Sequence, residues 1–485
     1  MRRKGDFFRW AAGVCVGACL LLPSTAGAAT ILVTSTATND DQLNAAPDGV
    51  CSLREAVQSI NGAANFGSCV ATIAPNPYGT ADEIDLPAGT FPLTRAGAGE
   101  DANSTGDLDI TKAVKILGTG DGPGGTRIDA NHIDRALDLR PVAATVNVTV
   151  QELLISNGNV PGVADDGGAI RVGDLDGSIA VKGSTITGSN AGHKGGAIFF
   201  EGATSASTPI DIVDTELVGN TAGDDGGAIE FGNSSEQAAI LRSSLIGNSA
   251  GGEGGGVYLS AADIGPFPSI RITNSTLAGN SAVGGGGAVG LGGGKQQVFT
   301  SFSTYAGNTT PAAGQGGAFR TDTGGATADE VYLSRSILAG NTAAGAPASC
   351  GGPAGLYPVP YGNVVSDSSC PLVGTNNLLG TDPLLAPLAA NGGSTRTMGL
   401  YDTSPAIDHI PTANCTIIPM TDQRAQPRPV GGACDAGAFE GSVGPKPVPG
   451  VSTNPPKKKK KCKKKKKKKR AAEAKKKKCK KKRKK

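Results

Sequence analysis

At 485 residues with 73 glycines and only 4% aromatic side chains, the chain has a composition that alone suggests disorder, so the order of its residues has to decide. Its formal charge of +4 conceals two opposing terms: the segment from Lys457 onward holds 21 lysines and 2 arginines against 1 glutamate, whereas residues 29–456 hold 19 basic against 40 acidic side chains. An acidic body is a poor match for nucleic acid or acidic polymers, and beyond the N-terminus no stretch approaches the roughly 20 apolar residues of a membrane helix.

The chain opens with Arg2, Arg3, Lys4 and Arg9, continues through apolar residues from Trp10 to Leu22, and reaches Ala26-Gly27-Ala28. That order is the basic, apolar and small-residue sequence of a secretory signal peptide, 1–28, so the mature protein is expected to be exported and to start near Ala29. A lipoprotein-type cleavage at Cys19 is the rival, disfavoured by apolar Leu20 to Leu22 directly after it. Export makes cysteines informative. Two of the ten lie in the leader and two in the tail, leaving an even set that pairs most simply between sequence neighbours as Cys51–Cys69, Cys350–Cys370 and Cys415–Cys434.

Residues 29–83 are expected to form an N-terminal cap. Ser52 with Glu55 three residues on makes a capping box, and Leu53, Ala56, Val57 and Ile60 fall on one face of a short helix suited to cover exposed strand edges. From residue 84 to 377 the chain repeats: STITGSNAGHKGGAIFF from Ser184, TELVGNTAGDDGGAIEF from Thr215, SSLIGNSAGGEGGGVYL from Ser243, STLAGNSAVGGGGAVGL from Ser275, STYAGNTTPAAGQGGAF from Ser303 and a partial copy from Arg335. Asn190, Asn220, Asn248, Asn280, Asn308 and Asn341 recur at intervals of 30, 28, 32, 28 and 33 residues, the slippage of stacked coils with loops of variable length. Segments such as 179–182 and 210–213 alternate in the manner of strands, about three to a coil, and stacking pairs each strand with the next coil around a continuous apolar interior. Gly-Asn suits a left-handed corner, with the six asparagine amides expected to form an inward ladder. Gly-Gly before Ala-Ile or its equivalents permits a sharp turn.

The CSLREA string at Cys51 to Ala56, the Gly-Asn and Gly-Gly-Ala-Ile repeats, and the ending from Leu378 to Glu440 together resemble the CSLREA-domain, choice-of-anchor family of secreted β-helix proteins; the repeats are also similar to those of polymorphic outer-membrane adhesins. The resemblance spans roughly residues 30–440. It implies an all-β fold, a pectate-lyase-like right-handed parallel β-helix at or outside the cell surface, with 378–440 as a C-terminal cap. Ala390, Ser394 and His409 depart from the family's usual residues, and no autotransporter barrel follows the repeats.

Many β-helices cleave acidic polysaccharides with clustered carboxylates and a basic neighbour. The candidates here are Asp165, Asp166, Asp224, Asp225, His193, Arg271 and Asp211, and of these His193, Asp224 and Asp225 sit in one loop position of successive copies. The next copies carry Glu253, Gly284 and Gln315 there, a drift expected of a solvated loop, and no polygalacturonase or lyase signature is present. A noncatalytic structural, adhesin-like or binding protein is therefore expected, with a polysaccharide lyase or glycosidase as the rival. No cofactor or metal is expected: His132, His193 and His409 lack partners at ligand spacing, and Gly118 to Gly125 lacks the nonapeptide repeat of calcium turns.

A Pro-rich linker, 441–456, leads to a polylysine tail, 457–485, read as disordered without a partner. Lysines spread along it, among them Lys457, Lys463, Lys469, Lys475, Lys480 and Lys485, are expected to bind anionic envelope polymers or lipid head groups, with no specific nucleic-acid recognition. Folding back onto the acidic coils is the alternative. Cys462 and Cys479 either pair locally or join two chains. Polysaccharide or a neighbouring cell surface is the partner envisaged for the loops of the coils.

Overall fold

A computed structural model describes residues 28–447 apart from 36–40, 73–77, 141–145, 174–176, 202–208, 233–236, 261–268, 295, 323–327, 353–356, 359 and 416–419. The expected leader up to residue 27 and the whole lysine tail lie outside the described residues. Among those described, no helix is long and apolar enough to cross a membrane.

The body is a parallel β-helix whose coils build four sheets, of ten, ten, eight and nine strands. One coil shows the plan: Gly177–Lys182 lies in sheet one, Thr185–Thr187 in sheet two, Asn190–Ala191 in sheet three and Ile198–Phe200 in sheet four, after which Pro209–Val213 re-enters sheet one. The expected three strands per coil thus become four, because a two-residue strand follows each Gly-Asn corner before the Gly-Gly turn. Register is kept by alternate side chains: Ile179 pairs with Ile210, Ile210 with Ala238, Ala238 with Ile270, and Ile270 with Val298, all facing the core. The variable part of the repeat falls between sheets four and one, as 201–208 in one coil and 232–236 in the next. Inside, like side chains stack on like, as with Phe200 and Phe231 at 5.0 Å between ring centroids.

The corner between sheets two and three carries the glycines at φ +62° to +66°, Gly219, Gly247, Gly279, Gly307 and Gly340, followed by fully buried Asn220, Asn248, Asn280, Asn308 and Asn341. Each amide is satisfied by its neighbours. Asn280 Nδ2 donates to Asn308 Oδ1 at 3.0 Å and to the Leu245 carbonyl at 3.0 Å, while its Oδ1 accepts from both the Asn248 backbone N–H and Asn248 Nδ2. Asn190 is not part of this ladder. The first copy reads Gly-Ser-Asn, so Ser189 takes the ladder position and Asn190 moves one residue on into sheet three, where its Nδ2 reaches Asn159 Oδ1 at 3.1 Å. A second ladder went unread in the sequence although it opens every copy: Thr215, Ser243, Ser275 and Ser303 each offer backbone N–H to the hydroxyl of the next coil at 3.1–3.3 Å.

At the front, Leu53–Gly62 is the expected helix, and both halves of the Ser52/Glu55 capping box are made. Its apolar face, Leu53, Ala56, Val57 and Ile60, is buried, and the helix packs on Leu108–Ile110, the first strand of sheet four. Arg54 is also fully buried: it holds the carbonyls of Gly106 and Asp107 at 2.7 Å and pairs with Asp41. Residues ahead of the helix already belong to the stack, since Thr30–Leu32 pairs with Glu83–Asp85 in sheet one. All three disulfides join the sequence neighbours.

Among the described residues, the far end of the core is closed by Cys350, Cys370 and Leu372, pinned by Cys350–Cys370 and by Ser349 and Asp367, rather than by 378–440. That later segment folds back along the outside of sheet two. Thr395 Oγ1 donates to the Arg242 carbonyl at 2.8 Å, Gln423 Nε2 to Ser244 Oγ at 2.8 Å, and Gly437 N to the Arg335 carbonyl at 2.9 Å. The reason is local: sheet two presents small outward residues, Ser244, Thr276, Ala278, Thr304 and Ala306, and these are buried beneath the returning chain.

Candidate functional site

Charged residues stack in register on sheet four and on the turn that precedes it. Each coil makes that turn with two residues ahead of Gly-Gly, and successive turns stack backbone to backbone: His193 N donates to the Asp165 carbonyl at 3.1 Å, Asp224 N to the His193 carbonyl at 2.8 Å, and Gly252 N to the Asp224 carbonyl at 2.8 Å. The first glycine of each pair has φ +62° to +68° where it is Gly195, Gly226, Gly254, Gly286 or Gly316. The second serves close approach, since a Cβ on Gly227 would lie 2.3 Å from the Gly255 carbonyl oxygen.

This stacking brings His193 and Asp224 together and adds Asp166. His193 Nδ1 lies 2.8 Å from Asp166 Oδ1 and its Nε2 lies 3.6 Å from Asp224 Oδ2, so one imidazole bridges carboxylates of the coils on either side. Asp225 is turned to another task, accepting the Glu253 backbone N–H at 2.7 Å, and burial raises its pKa. Asp165 accepts the Gly162 N–H within its own turn at 3.1 Å. Arg271 and Asp211 belong to sheet one, with Arg271 over the Phe299 ring at 5.0 Å, and do not join the group. His132 and His409 are likewise apart; His409 Nε2 meets the Asn376 carbonyl at 2.7 Å.

Along the middle of sheet four one outward position per coil is occupied in turn by Asp109, Asp138, Arg171, Phe199, Glu230, Tyr258, Gly290 and Arg320. Turn residues lean over it. Lys194 Nζ reaches Glu230 Oε1 at 3.0 Å, leaving the buried Glu230 Oε2 without a partner among the described residues, and Arg320 pairs with Glu253. Burial, opposed by Lys194, pushes Glu230 up to about 8; burial, opposed by Arg320, pushes Glu253 up to about 7. Sequence reasoning missed Glu230, because a single glutamate within an apolar strand carries no periodic signal of its own, and it read Glu253 only as drift at the loop position of His193 and Asp224.

Nearer the front, Asp109 and Asp138 are register partners in adjacent strands and both are buried. One oxygen of each lies within 4.8 Å of the other and of a carboxylate oxygen of Asp101. Burial, with Asp138 adding to it and the Asn103 N–H opposing, pushes Asp109 up to about 7. The pattern was present in the sequence as Leu-Asp-Ile at 108–110 and Leu-Asp-Leu at 137–139, an aspartate in the outward slot of two consecutive coils. Further hollows include one of about 580 Å³ over the turn at Gly122, Gly124 and Arg127, one of about 480 Å³ where Leu385, Leu388 and Met398 of the returning segment face Gly279 and Gly307, and one of about 650 Å³ beside Asp121, Lys182 and Asp214.

No known protein family, curated protein or solved structure matches this chain.

Proposed function

We propose that this is an exported, noncatalytic β-helix protein of the cell surface, structural or adhesive in role, whose lysine tail binds anionic envelope polymers or lipid head groups. The observation that carries the reading is the segregation of charge along the chain: 21 lysines after residue 456, and an acidic excess before it. Each lysine near an anionic surface contributes about 1 kcal/mol, so partial engagement of the tail suffices for salt-sensitive attachment. Three disulfides in the body support an oxidising compartment, and the resemblance of the CSLREA string and C-terminal segment to secreted β-helix proteins supports the same setting. The noncatalytic part is supported by the fate of the candidate carboxylates. Asp225 caps a neighbouring backbone N–H, and Asp166 and Asp224 flank one histidine as stacked turn residues. The test is retention on cell envelopes, across a salt series, of the full chain against a chain ending at Pro456; equal retention of the two would end the anchoring idea.

A second reading, a polysaccharide lyase or glycosidase, is favoured by the half-exposed Asp224 beside His193. A screen of acidic and neutral polysaccharides for reducing ends or unsaturated products decides it, with His193→Ala the control. Turnover lost in that variant would replace the noncatalytic reading.

A further inference from the structure

We infer that Asp101, Asp109 and Asp138 form a binding site for one divalent hard cation, calcium in class, which ties the loop around Asp101 to the first coils of sheet four. Three carboxylate oxygens converge within 4.8 Å of one another. Convergence of acidic groups is common, and here a second observation singles the place out. Asp109 and Asp138 are each 1% exposed, and Oδ1 of each is buried with no hydrogen-bond partner among the described residues. Their other oxygens are already engaged: Asp109 Oδ2 accepts the Asn103 backbone N–H at 2.7 Å, and Asp138 Oδ2 accepts from Arg140 Nε at 2.8 Å, with Arg135 and Arg171 at 3.4 and 3.5 Å. The arginines therefore spend themselves on Oδ2 of Asp138 and leave Oδ1 of both aspartates bare. Buried carboxylate oxygens without a donor, on neighbouring like-charged groups, are costly, and a cation bound among the three carboxylates offsets both the desolvation and the repulsion.

The donor set selects the ion. It is all oxygen, with no histidine or cysteine, which points to a hard cation. Two buried ligands and one at the surface, Asp101 at 58% exposure, leave a side open to water, and calcium's flexible shell of 6–8 oxygens at about 2.3–2.6 Å tolerates that better than the strict octahedron of magnesium. Arg140 is the built-in competitor, since its Nη1 lies 2.8 Å from Asp101 Oδ2 while its Nε holds Asp138.

The experiment is calorimetric titration of CaCl2, and separately MgCl2, into the full disulfide-bonded chain stripped with EDTA, with melting temperature followed in parallel. One saturable calcium site is expected, stronger than magnesium, raising the melting temperature by roughly 2–5 °C at saturation. Asp101→Asn, at an exposed position that leaves the fold intact, should weaken calcium by about ten-fold or more. Asp138→Asn should abolish binding, and Arg140→Gln should tighten it. Absence of a saturable calcium isotherm, equal affinity for magnesium, or an isotherm unchanged in both Asp101→Asn and Asp138→Asn would each overturn the inference.

Discussion

The corner between sheets two and three and the outer face of sheet four are built by the same operation, one residue set upon its equivalent in the next coil, with opposite results. At the corner the repeated group is an amide, donor and acceptor at once, so identical copies satisfy one another: Asn248, Asn280 and Asn308 each give and receive along the stack. On sheet four the stacked groups include carboxylates, which only accept, and Asp109, Asp138 and Glu230 each keep a buried oxygen without a partner among the described residues. A solenoid can therefore repeat a self-complementary group indefinitely, whereas stacked carboxylates repel and leave acceptors unmet unless arginine, lysine or an aromatic ring intervenes, as it does beyond Asp138 but not between Asp109 and Asp138. That is the order Asp138, Arg171, Phe199, Glu230 that the outward column follows.

The strongest way to break the comparison is to disturb the close approach on which both stacks depend. Gly227→Ala would set a Cβ 2.3 Å from the Gly255 carbonyl oxygen and 2.6 Å from the Ser249 carbonyl carbon, backbone atoms that cannot rotate away, and should cost about 3 kcal/mol or more. Gly219→Ala is its control: nothing lies within 4 Å of the added carbon and only φ +62° opposes it, so about 1–2 kcal/mol is expected. Urea midpoints compare the two, and equal losses would show that inter-coil distance is not what makes the second glycine of the pair necessary. Next in size is Asn280→Ala, which removes the acceptor of the Asn248 N–H and the donor to Asn308 and Leu245. We expect a loss of about 2–4 kcal/mol together with faster hydrogen exchange at the Asn248 amide; an unchanged exchange rate would mean the amide is not held through the side chain.

How much of this was legible depends on whether a feature repeats. The Gly-Asn and Gly-Gly pairs recur at 28 to 33 residues, so the coil, its corners and its core were readable, as was the capping box at Ser52. What did not repeat was hidden. The strap from 378 to 440 is held to sheet two by contacts such as Arg396 with Glu216, 180 residues apart, and no local pattern announces so distant a pairing. Among the site residues, the nearness of His193 to Asp224 followed from loop position alone. The redirection of Asp225 to a backbone N–H did not, because it depends on which way a turn side chain points. Asn190 was misplaced for a related reason: counting asparagines tracked the residue type, whereas the stack tracks the position after the left-handed glycine.

The ionic face gives a pH signature that the amide corner lacks. Glu230 is pushed from the usual glutamate value of 4.5 up to about 8 by burial, so between those limits the folded state binds more protons than the unfolded one. Stability is then fully present below about pH 4.5 and is lost as pH rises through about 8. Glu230→Gln removes the titration, and its urea midpoint should decline less than that of the parent between about pH 5 and pH 8. Parallel declines in the two proteins would assign the pH dependence to other carboxylates of the face.

The smallest effects are expected where the amide ladder ends, and they sharpen the comparison most. Asn190 makes one part-buried side-chain bond in sheet three, with Asn159, so Asn190→Ala should cost only about 0.5–1 kcal/mol, well below Asn280→Ala. The true ladder position, Ser189, is fully buried in effect at 1% exposure, offers its N–H to Asn220 Oδ1 at 3.1 Å, and keeps its own hydroxyl without a partner among the described residues. A hydroxyl is too short to repeat what each asparagine does, namely to reach the amide oxygen above and the strand carbonyl below. Ser189→Asn should extend the ladder by one rung, with Nδ2 donating to Asn220 Oδ1, and raise the urea midpoint by an amount corresponding to about 0.5–1.5 kcal/mol. If instead the added amide lowers the midpoint, then self-complementarity alone does not govern the corner, and the packing volume around Ser189 does.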